Sequence, residues 1–178
     1  MLPIALLMEE HRLIERLITL IHTELDSIET AQKVDPVFID AAVDFFKTYA
    51  DRTHHGKEED ILFREIGQKP ISNEHKKTLE DLLIEHVYAR KQVMALLETN
   101  KKYKAGDNEV LTLIQEILHD LCLFYPKHIE KEDKHFFVPV MNYFSKKELE
   151  MMMNEFNEWD RSMIHEKYRS LVELLEKK

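Results

Sequence analysis

The sequence predicts an all-α protein, and three observations lead to this prediction. Only three glycines and five prolines occur in 178 residues, whereas leucine, glutamate and lysine, which favour helices, are plentiful. Apolar residues recur at steps of three and four, the spacing that places them on one helix face. A hydrophobic content of 44% is sufficient for one domain with a substantial core. We therefore expect an up-down-up-down four-helix bundle with an additional C-terminal fifth helix.

The first three helices are separated by residues that end helices or form turns. The first is expected from about residue 4 to residue 30, where the apolar spacing is continuous. The second begins at Asp35-Pro36, since proline suits the first helical turn, and ends near Gly67. The third follows Ser72 and stops before the polar turn at residues 100–108.

The last two helices have recognisable N-terminal signals. Asp107 is suited to be the N-cap of the fourth helix. Ser145-Lys-Lys-Glu148 is a capping-box sequence, so we expect the fifth helix to begin there. Residues 1–142 would then form the bundle, and residues 143–178 a helix packed on it within the same domain.

One set of metal-ligand residue types occurs twice along the chain. Each half has a Glu-His pair, Glu10-His11 or Glu85-His86, followed by a His-x-x-x-Glu pair, His54 to Glu58 or His128 to Glu132. His11 and His86 lie 75 residues apart, and His54 and His128 lie 74 apart. The chain therefore presents four imidazoles and two carboxylates in a pseudo-twofold pattern, a donor set that suits a pair of iron-group ions.

These six residues fall on the apolar faces of the predicted helices. Residues i and i+4 share a helix face, so Glu58 and Glu132 would lie one turn beyond His54 and His128. A buried ionised carboxylate is costly unless charge or hydrogen bonds compensate it. Bound cations would remove this conflict, and the sequence therefore predicts a metal centre inside the bundle.

Two stretches resemble those of hemerythrin-like (HHE cation-binding) domains. They are His-His-Gly-Lys-Glu-Glu-x-x-Leu-Phe from His54 and Pro-Lys-His-Ile-x-Lys-Glu-Asp-x-x-Phe from Pro126. The resemblance covers residues from about 5 to about 140. It implies a four-helix bundle that holds two non-haem irons bridged by two carboxylates and an oxo or hydroxo group. It assigns His11 and His54 to one iron, His86 and His128 to the other, and Glu58 and Glu132 to the bridge.

The sequence departs from the oxygen-carrying hemerythrins on the third helix. Those proteins have a His-x-x-x-His pair there, whereas Leu82 and Arg90 flank His86 at that spacing here. The resemblance, with this departure, implies two imidazoles per iron and a more open site. We therefore expect reaction with a small molecule rather than reversible carriage of oxygen.

Three further residues could take part in the site. Asp133 satisfies the His-x-x-x-x-Asp spacing of the carriers, but Glu132 lies on the apolar face and repeats Glu58. His55 is one residue out of register, and the repeat places Ile129 opposite it. His135 lies two turns beyond His128 and could face a substrate channel or replace a ligand. His75, His119 and His165 are expected to have no role in the site.

Composition restricts the partners and the compartment. The single cysteine, Cys122, excludes an intramolecular disulfide and a cysteine-rich zinc site, as is typical of the reducing cytoplasm. A net charge of −9 disfavours nucleic acid. No export signal and no apolar stretch long enough for a membrane are recognised. We therefore expect a cytoplasmic protein that binds neither nucleic acid nor membrane.

The expected function is that of a non-haem di-iron protein that binds or reacts with oxygen, peroxide or nitric oxide as a sensor or scavenger. One alternative is an enzyme that reduces peroxide or nitric oxide with turnover, supplied with electrons by a redox partner. Another is a bundle that stores iron or is merely stabilised by it. All three use the same ligands, and a homodimer formed through the fifth helix is compatible with each.

Overall fold

In the computed structural model the chain is described from residue 2 to residue 176, with the side chains of residues 2–163 and 167. This part of the chain forms five long helices and no strand. They are α1 (Pro3–Ala31), α2 (Pro36 to Ile66), α3 (Asn73–Lys104), α4 (Leu111 to Val140) and α5 (Lys146–Glu176). The predicted all-α fold, a four-helix bundle with a fifth helix, is confirmed. The prediction for His165 falls on a side chain outside the described residues.

Two of the helices widen into π-helical turns at the level of the predicted site. In α2 the regular turns of Pro36–Phe45 lead into π turns over Phe46–His55 and Glu58–Phe63, before Arg64–Ile66 closes the helix. In α4 the segment Leu111–Glu130 is regular, Lys131–Phe137 is π-helical, and Val138–Val140 is regular again. Such turns are rare and are frequent at functional sites. Here they contain six of the candidate site residues: His54, His55, Glu58, Glu132, Asp133 and His135.

The predicted N-terminal signals of the helices are present. Asp35 accepts a hydrogen bond from the Val37 backbone N–H at the start of α2. Asp107 caps a 3₁₀ turn, Asn108–Val110, that leads directly into α4. Before α5, the Glu148 carboxylate accepts from the Ser145 backbone N–H at 2.8 Å, which is half of the reciprocal pair of a capping box. Local sequence therefore fixes where the helices begin.

Apolar side chains form two clusters that lie on either side of the predicted site. The large cluster contains Ile14, Ile21, Phe46, Leu96 and Leu118 together with their neighbours. The small cluster is built around Leu7, Leu62, Phe136, Val140 and Phe156, the last contributed by α5. On each of the four bundle helices, the site residues lie where the segment that contributes to one cluster meets the segment that contributes to the other. The metal-ligand residue types thus form one polar layer between two apolar layers.

Helix α5 packs against the turn of α2 that carries the histidines. The Trp159 indole N–H donates to the Arg52 backbone carbonyl at 3.0 Å. A Cβ atom at Gly56 would lie only 2.5 Å from Cζ2 of Trp159, so glycine is what permits this close approach. The Asp160 carboxylate accepts from the Lys57 ammonium at 2.6 Å. Helix α5 therefore closes one end of the polar layer.

None of the helices described here is both long enough and apolar enough to cross a membrane.

The contact between Gly56 and Trp159 predicts that a glycine-to-alanine change, which usually stabilises a helix, destabilises this protein. Replacing glycine by alanine inside a helix ordinarily stabilises it by about 1 kcal/mol. At Gly56 the added methyl group overlaps the indole, so we expect Gly56→Ala to destabilise the protein by about 1–3 kcal/mol. Trp159 is the only tryptophan, and its fluorescence should shift to longer wavelength. Urea unfolding followed by fluorescence and circular dichroism measures both effects.

The control is the same Gly56→Ala change in a Trp159→Ala background. There the overlap is absent, and the change should be neutral or stabilise by up to about 1 kcal/mol. A Gly56→Ala protein more stable than the parent, with unchanged emission, would contradict this packing of α5.

Candidate metal centre

The predicted ligands meet in two groups in the middle of the bundle. One group consists of His11, His54, Glu58 and Glu132, and the other of His55, His86 and His128. In each group every residue offers a ligand atom, and these atoms lie within 4.8 Å of one another. All seven side chains are at most 2% exposed. The fold thus brings together all six residues that the sequence predicted, with His55 in addition.

Glu58 and Glu132 connect the two groups. The Oε1 atom of Glu58 lies 3.3 Å from Nε2 of His54, and its Oε2 atom lies 3.4 Å from Nε2 of His86. In Glu132, Oε2 is 3.2 Å from Nε2 of His11, and Oε1 is 3.4 Å from Nε2 of His128. Each carboxylate therefore has one oxygen beside each histidine group, the arrangement that bridging between two cations requires.

Most polar atoms at the centre have no hydrogen-bond partner among the described residues, the exceptions being Nε2 of His11 and Nε2 of His54, which face each other at 2.8 Å. Both carboxylate oxygens of Glu58 and of Glu132, and the Nε2 atoms of His86 and His128, are buried without a hydrogen bond. Buried polar atoms of this kind are rare, and each requires an explanation. Nitrogen and oxygen donors in such numbers match the preferences of iron. The residues present therefore fit a pair of metal ions.

A second set of carboxylates holds the outer edge of four imidazoles. The Nδ1 atom of each ring faces a carboxylate oxygen at 2.6–2.9 Å. This interaction fixes the ring orientation and directs Nε2 to the centre, as is usual around metal-binding histidines. The pairs are His11 with Asp133, His54 with Glu10, His86 with Glu59, and His128 with Glu85.

Asp133 and Glu59 occupy equivalent positions, one residue after Glu132 and Glu58. Asp133, which the spacing of the carriers offered as a bridging residue, lies beside Nδ1 of His11 and belongs to neither group. Each of the outer carboxylates also pairs with a cation. These cations are Arg12 for Asp133, Lys57 for Glu10, Arg90 for Glu59 and Lys131 for Glu85.

The internal repeat extends beyond the ligands to the aromatic residues around them. Phe137 stacks on His11 with ring centroids 5.7 Å apart. Phe63 stacks on His86 at 5.9 Å, in the equivalent position of the other half. The pseudo-twofold pattern of the sequence is therefore also a pattern of contacts, which includes ligands, outer carboxylates and ring packing.

His55 departs from this symmetry. Its ring is buried and stacks on His86, with centroids 3.9 Å apart and planes 12° from parallel. The repeat places Ile129 at the equivalent position, a buried residue of the large cluster. The wide π turns of α2 let neighbouring histidines face different helices, His54 toward α1 and His55 toward α3. The structure therefore offers five imidazoles, divided two and three, where the sequence predicted two per metal.

His135, Leu82 and Arg90 lie outside both groups. His135 is exposed on α4. Leu82 belongs to the small apolar cluster, and the Arg90 guanidinium donates to Asp51 and Glu59. The outer carboxylates were not predicted from the sequence, although the repeated Glu-His pairs and the acidic residues after Glu58 and Glu132 were visible signals.

The charges of the centre favour a bound cation. Burial and the facing Glu132 raise the pKa of Glu58 well above its usual value. Burial also opposes the ionisation of Glu132, but His128 and His11 hold its pKa well below the usual value. Asp133 and Glu132 outweigh the burial of His11 and raise its pKa to about 9. Without metal, His11 would therefore carry a proton at neutral pH, and Glu58 would keep its proton to a higher pH than an ordinary carboxyl group.

Comparison with known protein families relates the chain to a family of metal-binding domains. The model of the hemerythrin HHE cation-binding domain matches residues 2–140. This range contains both ligand groups and ends before α5 begins. No curated protein and no solved structure matches the chain.

The protonated groups predict how metal binding depends on pH. A metal ion must displace the proton on His11 and any proton on Glu58, so binding should release on the order of one to two protons per metal pair. Because both pKa values are raised, the affinity should increase as the pH rises toward about 9. Calorimetric titration with Fe²⁺ under anaerobic conditions, in buffers of different ionisation enthalpy, measures the released protons. Binding without proton release, or with an affinity independent of pH, would contradict the assignment.

The neighbours Glu58 and Glu59 provide a matched pair of variants. Glu58→Gln removes a carboxylate that faces both groups, and we expect the loss of most bound metal. Glu59→Gln weakens the support of one imidazole, and we expect both metals to remain with an affinity lower by about 10–100-fold. Metal content after dialysis against a graded chelator distinguishes the two. Equal losses in both variants would show that the bridge is wrongly placed.

Proposed function

Because the chain belongs to the hemerythrin HHE cation-binding family, we propose that it holds two iron ions bridged by an oxo or hydroxo group, and that this centre reacts with oxygen, peroxide or nitric oxide as a sensor or scavenger. The ligands we propose are His11, His54, Glu58, His86, His128 and Glu132. One observation carries the proposal: each of the two buried carboxylates faces both histidine groups, and its oxygens have no hydrogen-bond partner among the described residues.

An iron pair bound here would supply one electron from each metal to a small oxidant. The protein's part is to hold the ligands in a dry layer and to keep their protonation states suitable. The carboxylates behind His11, His54, His86 and His128 would hold each Nδ1 atom protonated and direct each Nε2 atom toward the metal. The apolar clusters on both sides of the layer keep bulk water away from it.

The unequal donor numbers support reactivity at the His11 side. This group supplies two imidazoles and the two shared carboxylates, four protein donors in all. Octahedral iron accepts six donors, so positions remain for a bridging group and for an external molecule. The group with His55 supplies one imidazole more.

Iron storage is a weaker proposal for this chain. Among the described residues, only these two groups bring together metal-ligand side chains in a suitable arrangement, which is a capacity for a pair of ions. A catalytic reductase would use the same ligands, and steady turnover with an electron donor would distinguish it from a single stoichiometric reaction.

The test begins with aerobically purified protein, which should contain close to two irons per chain and show near-ultraviolet absorption from an oxo-bridged pair. Anaerobic diferrous protein mixed with oxygen should oxidise within seconds to minutes, and the oxygen should not be recovered under vacuum. Oxygen that is released again would establish a carrier. A protein without iron after iron-replete expression would refute the proposal.

The control is Glu132→Ala, which removes one carboxylate that faces both groups. It should lose the absorption and the reaction together. An unchanged reaction in this variant would mean that the oxidised iron lies elsewhere.

A further inference from the structure

His55 differs from the other imidazoles in how its outer nitrogen is held. The Nδ1 atoms of the other four rings each face a carboxylate oxygen at 2.6–2.9 Å. Within the described part of the chain, Nδ1 of His55 is buried without a hydrogen-bond partner, and the Oδ1 atom of Asp51 is 3.5 Å away. Hydrogen bonds to ionised carboxylates are among the strongest in proteins. Four rings would lose such a bond on rotating, whereas His55 would lose none.

A cavity of about 110 Å³ lies beside this ring, between α2 and α3. Its walls include the apolar side chains of Phe46, Ala89 and Val93. At its outer end are the exposed residues Lys47 and Met94, so the cavity extends from His55 toward the surface. One water molecule occupies about 30 Å³ in the liquid, and the space is therefore sufficient for a molecule of a few atoms or for a displaced imidazole.

The cavity and His55 arise from the same departure from the internal repeat. Ala89 and Val93 of α3 correspond to Ile14 and Ile18 of α1, as His86 corresponds to His11. Both isoleucines are buried in the large cluster, as is Ile129, the counterpart of His55. Between α1 and α4, larger apolar side chains thus occupy the positions that, between α2 and α3, are filled by the smaller Ala89 and Val93 and the polar His55. The space is found on the side that has the additional imidazole.

We propose that His55 is an exchangeable ligand, whose ring leaves its group by turning toward this cavity, and that a small molecule of two or three atoms entering through the cavity takes its place. This inference rests on the proposed function, since it assumes a metal pair in the centre. It adds an entry route and a second reactive position, on the side of His86 and His128, where the protein offers one donor more.

The probe for this inference is azide, a linear anion of three atoms, added to the iron-loaded protein and followed by absorption. His55→Ala should keep close to two irons per chain and bind azide about tenfold more tightly, a difference of about 1.4 kcal/mol, because no imidazole has to leave. Ala89→Leu fills the cavity and should weaken azide binding by about tenfold or more, with unchanged iron content.

Ala42→Leu is the packing control. It adds the same atoms at another buried alanine of the bundle, one that does not line the cavity, and it should leave azide affinity unchanged. A general loosening of the core would affect both leucine variants equally.

Two results would overturn the inference alone. His55→Ala could lose one of two irons, which would make His55 a permanent ligand. Alternatively, azide could bind equally well to the wild-type protein, His55→Ala and Ala89→Leu, which would place azide at the His11 side. Wild-type protein without an iron pair would overturn the proposed function and this inference together, and iron content recorded before each titration separates the cases.

Discussion

The burial of two carboxylates at the centre of the bundle is the constraint on which the rest of the structure depends. Glu58 and Glu132 are fully buried, and none of their four oxygens has a hydrogen-bond partner among the side chains that the structure describes. Burial, together with repulsion by the facing Glu132, raises the pKa of Glu58 well above its usual value. Desolvation of such charges costs several kcal/mol each unless it is compensated. The surrounding layers are arranged to provide that compensation.

Charge alternates outward from this centre. Imidazoles surround the two carboxylates, a second set of carboxylates holds the imidazoles, and lysine or arginine side chains neutralise that second set. The outermost layer differs between the halves: Lys57 is fully buried between Glu10 and Asp160 of α5, whereas its counterpart Lys131 is 32% exposed. Phe156 of α5 also lies 5.9 Å from the Lys57 ammonium. The helix outside the family-matched range therefore encloses the charge network on the His54 side.

The sequence was sufficient to predict the fold and to bring six candidate ligands to one place. Apolar spacing predicted the helices, and the repetition of His11 and His54 as His86 and His128 distinguished these residues from ordinary core histidines. The position of His55 could not be obtained in the same way, because the prediction assumed regular α-helical turns and equal halves. The π turns of α2 are not visible in residue spacing, and the repeat itself disfavoured His55, since Ile129 is apolar. The roles of Glu10 and Glu85 depended on side-chain directions across neighbouring helices.

Symmetry and its exceptions have different physical consequences in this bundle. The repeated contacts produce two similar halves, so any pair of ions bound there would share both carboxylates. Each exception changes only one half: His55 adds a donor, Ala89 and Val93 leave space, and α5 covers Lys57. A metal on the His11 side would be enclosed by α5, with an outer network of charges held firmly in place. A metal on the His86 side would have one more donor, His55, whose nearest carboxylate, that of Asp51, is 3.5 Å away and forms no hydrogen bond with it. The two sets of metal-ligand residues are similar, but their surroundings differ. Because the surroundings of a metal site influence its ligands, two ions bound here would differ in how readily each exchanges a ligand.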